Sequence, residues 1–500
     1  MSSIINSSNA SSSDSSSSSS SGSDSDIPIH EAPPLPALKS TLLPAPPTSI
    51  TATTCIEILI LGGNGCIGSE IVHQLCTSSM SQNVHLTLLN RGRKYWSECP
   101  LATPSNVSKI SFLQVDRTHQ ENIQQALRSR YPRGSVDIVI DCSGYRRRAI
   151  RYVLESVAVK RQYIYVSSDS IYEVCSVAAA AAAAAAAVNS TSATMEEECI
   201  RPQDANLRHQ LSSQDQYGHK KKQCEEYLTH LCKTNVLPSC TLLRLADVIG
   251  PRDNTDRLWH YVMWLRYCHV TQQDVPAATT SSKPLSFTFS IDVARLIVAM
   301  VSNPNGLPLH PASNNNGLVC YNVASPETPT HAMFVKEIAL CMGLMSKTHR
   351  EDEESGTHAL MSSTTSSMAN PSASSLASST TSSSTTSPST SAATSISYYP
   401  STSRGPININ KVQQENAKWW TPTPLREAIQ CSVRFLEHSM QQGWNQNDCM
   451  DVIISLASDL GLKKSKHQRR LVESLTNSYG EQMIRKYPWK KKKKKKKKKN

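Results

Sequence analysis

The chain has 500 residues, 38% of them hydrophobic and 18% charged, and a formal net charge of +12 at pH 7. Both fractions are low for a globular protein. The deficit sits in runs of Ser, Thr, Ala and Lys, and setting these aside leaves roughly 300 residues of ordinary composition, enough for a large core. Ten of the positive charges are Lys490 to Lys499. The remainder is nearly neutral, which excludes a broadly basic nucleic-acid-binding surface. The lysine run itself is either a homopolymer expansion or a tail for nuclear import or polyanion binding. Fifteen cysteines include no CxxC pair and no Cys/His cluster at zinc spacing, so reduced thiols, no metal and a cytosolic or nuclear location are expected. No stretch reaches the roughly 18 apolar residues of a membrane span, and the Ser-rich start has no secretory pattern.

Residues 1–54, a Ser/Asp tract followed by Pro-rich APPLPAL and LLPAPP, read as disordered. Order begins at Ile56. IEILILGG is a short apolar run ending in glycine, as a buried parallel strand should be. A helix is expected from Ile67 to Leu75, and strands over 84–89 and 110–115. A helix follows over 119–130, then a strand over 136–140, a helix over 148–159 and a fifth strand over 163–166 that ends in Ser167-Ser168-Asp169. Strands alternating with helices predict βαβ units and a doubly wound parallel sheet. The insertion 173–199 carries the alanine run Ala178 to Ala187, read as a loop expansion. A helix over 216–232 and a sixth strand over 240–245 complete the first domain, residues 55–250. Residues 251–351 and 398–440 read as a smaller substrate-binding part, with short strands at 286–289 and 319–323 and a helix over 425–440. They are separated by a disordered Ser/Thr insertion, 352–397. Further helices are expected within 445–487, before the lysine tail.

The turn Gly62-Gly63-Asn64-Gly65-Cys66-Ile67-Gly68 follows a strand and opens a helix. Its spacing is GxxGxxG. Missing Cβ atoms let the backbone of Gly62, Gly65, Cys66, Ile67 and Gly68 approach a pyrophosphate, and the helix N-terminus offers free N–H groups. An acidic residue at the end of the second strand would bind the ribose 2′-OH of NAD. Here the run is Asn90-Arg91-Gly92-Arg93-Lys94, which suits a 2′-phosphate, so NADP is expected over NAD; the other reading is a solvated basic loop. Asp116, after the third strand, accepts from an adenine amino group or caps the segment beginning at Thr118.

Tyr217 and Lys221 stand four residues apart on the 216–232 helix and so share a face. A nearby ammonium lowers a phenol's pKa from its usual value near 10, which would let Tyr217 exchange a proton. Ser168, at the carboxyl end of the fifth strand, faces the crevice where such chemistry takes place. The bland alternative is an interfacial tyrosine beside a solvated lysine patch, 220–222. Arg244, Arg252 and Arg257 are either partners for a substrate diphosphate or ordinary packing arginines.

The motifs GGNGCIG, YVSSDSIYE, YxxxK at Tyr217, LRLADVIGPRDN, FSIDVA and YNVASPE resemble the extended short-chain dehydrogenase/reductases, the NAD-dependent epimerase/dehydratase group. The resemblance implies a Rossmann-type fold with a small C-terminal domain, and Ser168, Tyr217 and Lys221 as a triad. It also implies a dinucleotide held partly by Lys221, a nucleotide sugar or related polyol as substrate, and a homodimer built on helices beside the tyrosine helix. Asp292 in FSIDVA would have a structural role. Where the dehydratase branch carries Thr-Asp-Glu, this chain keeps Asp169 but has Ser170. The NRGR run also resembles atypical, RNA-associated relatives of the group, which generally lack a complete Tyr/Lys pair. A non-catalytic NADP-sensing or RNA-binding protein is therefore the competing reading.

Overall fold

In a computed structural model of the chain, the residues described are 55–78, 81, 83–93, 95–96, 110–176, 193–271, 284–302, 317–344, 405–418 and 420–442. They all belong to one compact unit, residues 53–500. The expectations for residues 1–54, the alanine run, the Ser/Thr tract, Lys94, the helices within 445–487 and the lysine tail lie outside the described residues.

The first half alternates as β1 (Ile56–Leu61), α1 (Cys66–Thr77), β2 (Val84–Asn90), β3 (Ile110–Gln114), α2 (Gln120–Arg130), β4 (Ser135–Asp141), α3 (Arg147–Leu154) and β5 (Ala158–Ser168). A 3-10 turn, Asp169–Val174, follows β5. Next come α4 (Ala205–Gln214), α5 (Gln216–Lys233), β6 (Cys240–Leu245) and β7 (Asp247–Ile249). The remainder is α6 (Arg257–Thr271), β8 (Phe287–Phe289), α7 (Ser290–Ser302), β9 (Leu318–Val323), α8 (His331–Cys341), α9 (Asn410–Asn416) and α10 (Leu425–Gln442).

Seven strands form one parallel sheet in the order β3-β2-β1-β4-β5-β6-β9. Because side chains alternate along a strand, β1 feeds two cores. Ile58 and Ile60 pack with Ile71, Val72 and Leu75 of α1 and Val293 and Ile297 of α7. Leu59 and Leu61 pack on the opposite face with Ile123 of α2, Ile150 of α3 and Leu228 of α5. Helices on both faces of a parallel sheet make this a doubly wound α/β fold of the Rossmann type. From Ile58 to Leu61 the apolar run of β1 is continuous because neither of its faces meets water there.

A third core joins α6, β8, α8 and α10, with Trp259, Trp264, Phe287, Phe334, Ile429 and Leu436 inside it. Phe287 and Phe334 stack with centroids 4.1 Å apart. Trp96, shortly after β2, enters the same core edge-on to Phe435, centroids 5.1 Å apart. The short strands β7 and β8 pair in a separate two-stranded parallel sheet.

The boundaries differ most from expectation between α3 and β5. The helix expected over 148–159 stops at Leu154, and β5 begins at Ala158 rather than at 163. Val159 pairs with Val136 of β4, and Val157 and Val159 are buried in the sheet core. Strand pairing of β-branched residues here overrides the helical apolar spacing.

Candidate active site

The β1–α1 turn is shaped by close backbone approach. Gly62 has φ +88°, and its N–H donates to Leu89 O at 2.9 Å. A Cβ on Gly68 would lie 2.2 Å from Gly62 O, so only glycine lets α1 begin this near the strand end. Gly65 N–H donates to Gly62 O at 3.0 Å, and Ser69 N–H to Gly65 O at 2.8 Å. No side chain caps α1, and its first turn, which holds Cys66, Ile67 and Gly68, contains no acid. Such an uncapped, acid-free helix start suits an anionic pyrophosphate. Cys66 itself is buried and faces Pro251 O with Sγ at 3.6 Å; burial pushes its thiol up, as befits a small packed residue.

At the end of β2, Asn90 ties the neighbouring loop to this turn. Its Oδ1 accepts from Asn64 Nδ2 at 3.1 Å and from Gly92 N–H at 2.8 Å. Arg91 is exposed beside it, and the Arg93 guanidinium lies 4.9 Å from the centre of the Tyr95 ring. Asp116 closes a local turn, its Oδ1 accepting from Thr118 N–H at 2.9 Å and from Thr118 Oγ1 at 2.8 Å. The Thr118 amide, with Arg91 among lesser causes, holds the Asp116 carboxyl below its usual range. α2 begins only at Gln120, after His119, so Asp116 caps the turn rather than the helix.

On the other side of the crevice, Ser168 ends β5 and Asp169 opens the 3-10 turn. Ser168 Oγ accepts from Ser170 N–H at 3.2 Å and lies 3.3 Å from Asp169 Oδ1. Asp215 starts α5 by accepting from Gly218 N–H at 2.8 Å. A Cβ on Gly218 would meet Ser170 O at 2.2 Å. This glycine therefore lets the first turn of α5 rest on the backbone after β5 and brings Tyr217 to the strand end. Ser168, Asp169 and Tyr217 thus come together, although Ser168 and Tyr217 are 49 positions apart.

The electrostatics differ from the sequence expectation in one respect. Tyr217 keeps 45% of its surface exposed, yet desolvation pushes its phenol up, helped by Tyr145 and Asp169, while hydrogen bonding with Ser168 and the charge of Arg257 pull it back. Lys221 is 2% exposed and is engaged elsewhere. Its Nζ donates to Val166 O at 2.8 Å and lies 5.0 Å and 4.7 Å from the ring centres of Tyr145 and Tyr165. Burial lowers the Lys221 pKa, opposed by Asp141. In this structure the ammonium serves a strand carbonyl and two ring faces, and the phenol lies above its ordinary range rather than below it.

Two residues of this neighbourhood escaped the sequence reading. Tyr145 follows β4, half exposed, with its ring 6.3 Å from that of Tyr217, and so stands beside both Tyr217 and Lys221. Arg117 is buried and bidentate to Asp141, at 2.5 and 2.9 Å, and reaches Ser143 Oγ at 3.1 Å. Asp141 also accepts from Tyr163 OH at 2.7 Å and from Ser143 N–H at 3.0 Å. Ser143 is the residue a Cβ on Gly62 would strike, at 2.9 Å, so this cluster underlies the glycine turn. Their position at strand ends was the available signal, since carboxyl ends of parallel strands face the crevice.

The arginines weighed as diphosphate partners have protein partners instead. Arg244 is buried and bonds Glu225 at 2.9 and 3.2 Å, Glu196 O at 2.8 Å and Tyr172 OH at 3.1 Å. Arg252 pairs with Glu70, and Arg257 with Asp247 at 2.8 Å. Asp292 accepts from Thr423 N–H and Thr423 Oγ1, each at 2.7 Å, and its carbonyl accepts from Trp420 Nε1 at 2.9 Å. It fastens the segment before α10 to α7. Among the described residues, no group of three or more His, Cys, Asp or Glu could hold a metal ion, and no helix is long and apolar enough to cross a membrane.

Comparison with known proteins gives a family and distant structural likenesses. No curated protein sequence matches the chain. A dTDP-glucose 4,6-dehydratase from Bacillus anthracis, solved with NAD, is 14% identical with a TM-score of 0.48, over 77% of this chain and 97% of that one. A UDP-glucose 4-epimerase from Thermotoga maritima, solved with UDP-glucose, is 14% identical with a TM-score of 0.45, over 77% of this chain and 100% of the other. A UDP-glucuronic acid 4-epimerase from Bacillus cereus, solved with UDP-glucuronic acid and NAD, is 16% identical with a TM-score of 0.45, over 77% and 99%. The family model described as "NAD dependent epimerase/dehydratase family" matches residues 58–312, just over half of the chain. On that match the chain belongs to the NAD-dependent epimerase/dehydratase family.

Proposed function

We propose that the protein is an NAD(P)-dependent oxidoreductase of the epimerase/dehydratase type, acting on a nucleotide sugar or related polyol. The observation that carries this reading is the meeting of Ser168 and Tyr217 at the carboxyl end of β5, with Lys221 one turn along α5. The backbone of Gly62, Gly65, Cys66, Ile67 and Gly68 would hold the pyrophosphate, and Asp116 the adenine amino group. Asn90 and Arg91 suit a 2′-phosphate, so NADP is favoured over NAD. Lys221 would hold the ribose nearer the nicotinamide. A bound nicotinamide dinucleotide supplies hydride exchange.

Tyr217 then exchanges a proton with the substrate hydroxyl or carbonyl oxygen, and Ser168 hydrogen-bonds that oxygen. Asp169 is a second proton-transfer group. The Ser170 hydroxyl, where the dehydratase branch carries an acid, favours epimerisation or simple oxidation and reduction over dehydration. The first domain, residues 55–250, would carry the dinucleotide, and residues 251–351 and 398–440 the substrate part.

The test is Tyr217→Phe, with NADPH affinity and turnover measured on a panel of nucleotide sugars. Turnover is expected to fall about 10²–10⁴-fold, the usual contribution of a positioned proton-transfer group, with NADPH affinity unchanged. One observation favours the competing reading of a non-catalytic NADP-sensing or RNA-binding protein: the Tyr217 phenol is raised while Lys221 serves Val166 O. If the unaltered protein turns over none of the panel but retains RNA, that reading replaces the enzyme.

A further inference from the structure

Beyond the crevice, two thiols meet between the end of the 3-10 turn and residue 199. Cys175 Sγ lies 3.4 Å from Cys199 Sγ, and the residues are 0% and 8% exposed. Beside them, Ser176 N–H donates to Ile200 O at 2.7 Å, so the backbone already holds Cys175 and Cys199 next to each other. Cys175 also ends the 3-10 turn that begins at Asp169, and its Sγ donates to Ile171 O at 3.0 Å. On the other side, Lys222 sends its ammonium to Cys199 O at 2.8 Å and to Cys199 Sγ at 3.2 Å.

We infer that Cys175 and Cys199 are a dithiol–disulfide pair, oxidised by a small peroxide and poised by Lys222, which joins the end of the 3-10 turn covalently to residue 199. Cys199 is the sulfur that the Lys222 ammonium reaches, at 3.2 Å, and a cation beside a thiol favours the reactive thiolate, with the neighbouring Cys175 as its resolving partner. Lys222 is raised in turn: burial lowers it, but Cys199 and Glu225 outweigh that.

The chemistry balances without a metal or the dinucleotide. The Cys199 thiolate attacks one oxygen of hydrogen peroxide and the O–O bond breaks. A sulfenic acid forms, and the departing oxygen takes up the proton the thiol gave up and leaves as water. Cys175 sulfur then attacks the sulfenic sulfur. An S–S bond forms, the S–O bond breaks, and the hydroxyl leaves with the Cys175 proton as a second water. Two thiols are oxidised and one peroxide is reduced to two waters.

The full-length reduced protein is exposed to hydrogen peroxide, quenched by alkylation under denaturing conditions and mapped by mass spectrometry without reduction. A Cys175–Cys199 cross-linked peptide is expected. Its rate of appearance should fall about tenfold in Lys222→Gln, the change in thiolate fraction for one pKa unit, and recover in Lys222→Arg. In Cys175→Ser, Cys199 should remain as a sulfenic acid that a cyclic dione captures. Recovery of both cysteines as free alkylated thiols from the unaltered protein overturns the inference, whether or not the variants fold. So does a bond from Cys199 to Cys320, a thiol that Cys199 also influences electrostatically. An unchanged rate in Lys222→Gln overturns the part given to Lys222.

Discussion

Two buried arginines flank β5, and their surroundings differ in kind. Arg117 and its partners Asp141, Ser143 and Tyr163 all come from consecutive strands and the loops that follow them. Arg244 gathers Glu225 from α5, Tyr172 from the 3-10 turn and the Glu196 carbonyl; Tyr172 then reaches Asn322 Oδ1 on β9 at 2.6 Å, and Asn322 N–H reaches Glu196 Oε1 at 2.8 Å. The first cluster is a foundation laid within the sheet, under the glycine turn. The second ties the far side of an insertion to the last strand. The same residue type thus does two jobs, and its chain neighbours do not say which.

The largest expected effect comes from breaking the foundation. Asp141→Ala leaves Arg117 charged and buried, and denaturant unfolding should show a loss of about 3–5 kcal/mol. Replacing Arg117 and Asp141 together by Met and Leu should restore most of it, because no buried charge is then left alone. Gly68→Ala is next. Its Cβ must push α1 off Gly62 O, and overpacking of this sort costs about 1–3 kcal/mol; dinucleotide affinity should fall with stability, since the same turn is displaced. In the second cluster, Tyr172→Phe removes a hydroxyl that Asn322 and Arg244 share, an expected loss of about 1–2 kcal/mol. Hydrogen exchange should show that loss around 194–198 and β9, with β1 and β4 still protected. Protection lost equally across the sheet would erase the distinction between the clusters.

The smallest effect is in pH dependence. Burial pushes the Asp141 carboxyl up, but Arg117 outweighs it and holds the folded pKa below the ordinary value. Its stabilisation is therefore complete above the unfolded carboxylate range, near 3.9, and is lost as pH falls through the lower folded value. Glu225 behaves likewise, held down by Arg244 against burial. Glu196 in the same cluster is shifted up by burial, so its contribution is present at low pH and lost as pH rises through its folded value. The two acids of the Arg244 cluster oppose one another. Asp141→Asn and Glu225→Gln should therefore each flatten the acid limb of a stability–pH curve, whereas Glu196→Gln should steepen it.

The central strands of the sheet were legible because each is a local pattern, an apolar run largely buried on both faces and closed by glycine or a polar residue. The β1–α1 turn was legible for the same reason. Tyr217 and Lys221 could be paired because a helix converts a four-residue spacing into a shared face. What could not be read were side chains whose partners lie far along the chain. Arg117, in the loop after β3, meets Asp141 at the end of β4 although β2 and β1 lie between those two strands in the sheet order. Tyr145 joins Tyr217 across 72 positions. Arg244 was weighed as a ligand for a diphosphate because nothing nearby in sequence announces Glu225 as its partner. The end of α3 was misplaced where helical spacing and strand pairing compete for Val157 and Val159.

The attachment of α10 has a consequence for how the chain varies. Leu425 N–H bonds Glu327 Oε1 at 3.1 Å, and Arg426 pairs with Glu337 of α8 at 2.9 Å. Residues up to 344 and from 405 onward are thereby tied into one core. Closing a longer connection between two fixed points costs only about 0.6 kcal/mol per doubling of its length, so residues added between these two anchors would change the stability of the folded body very little.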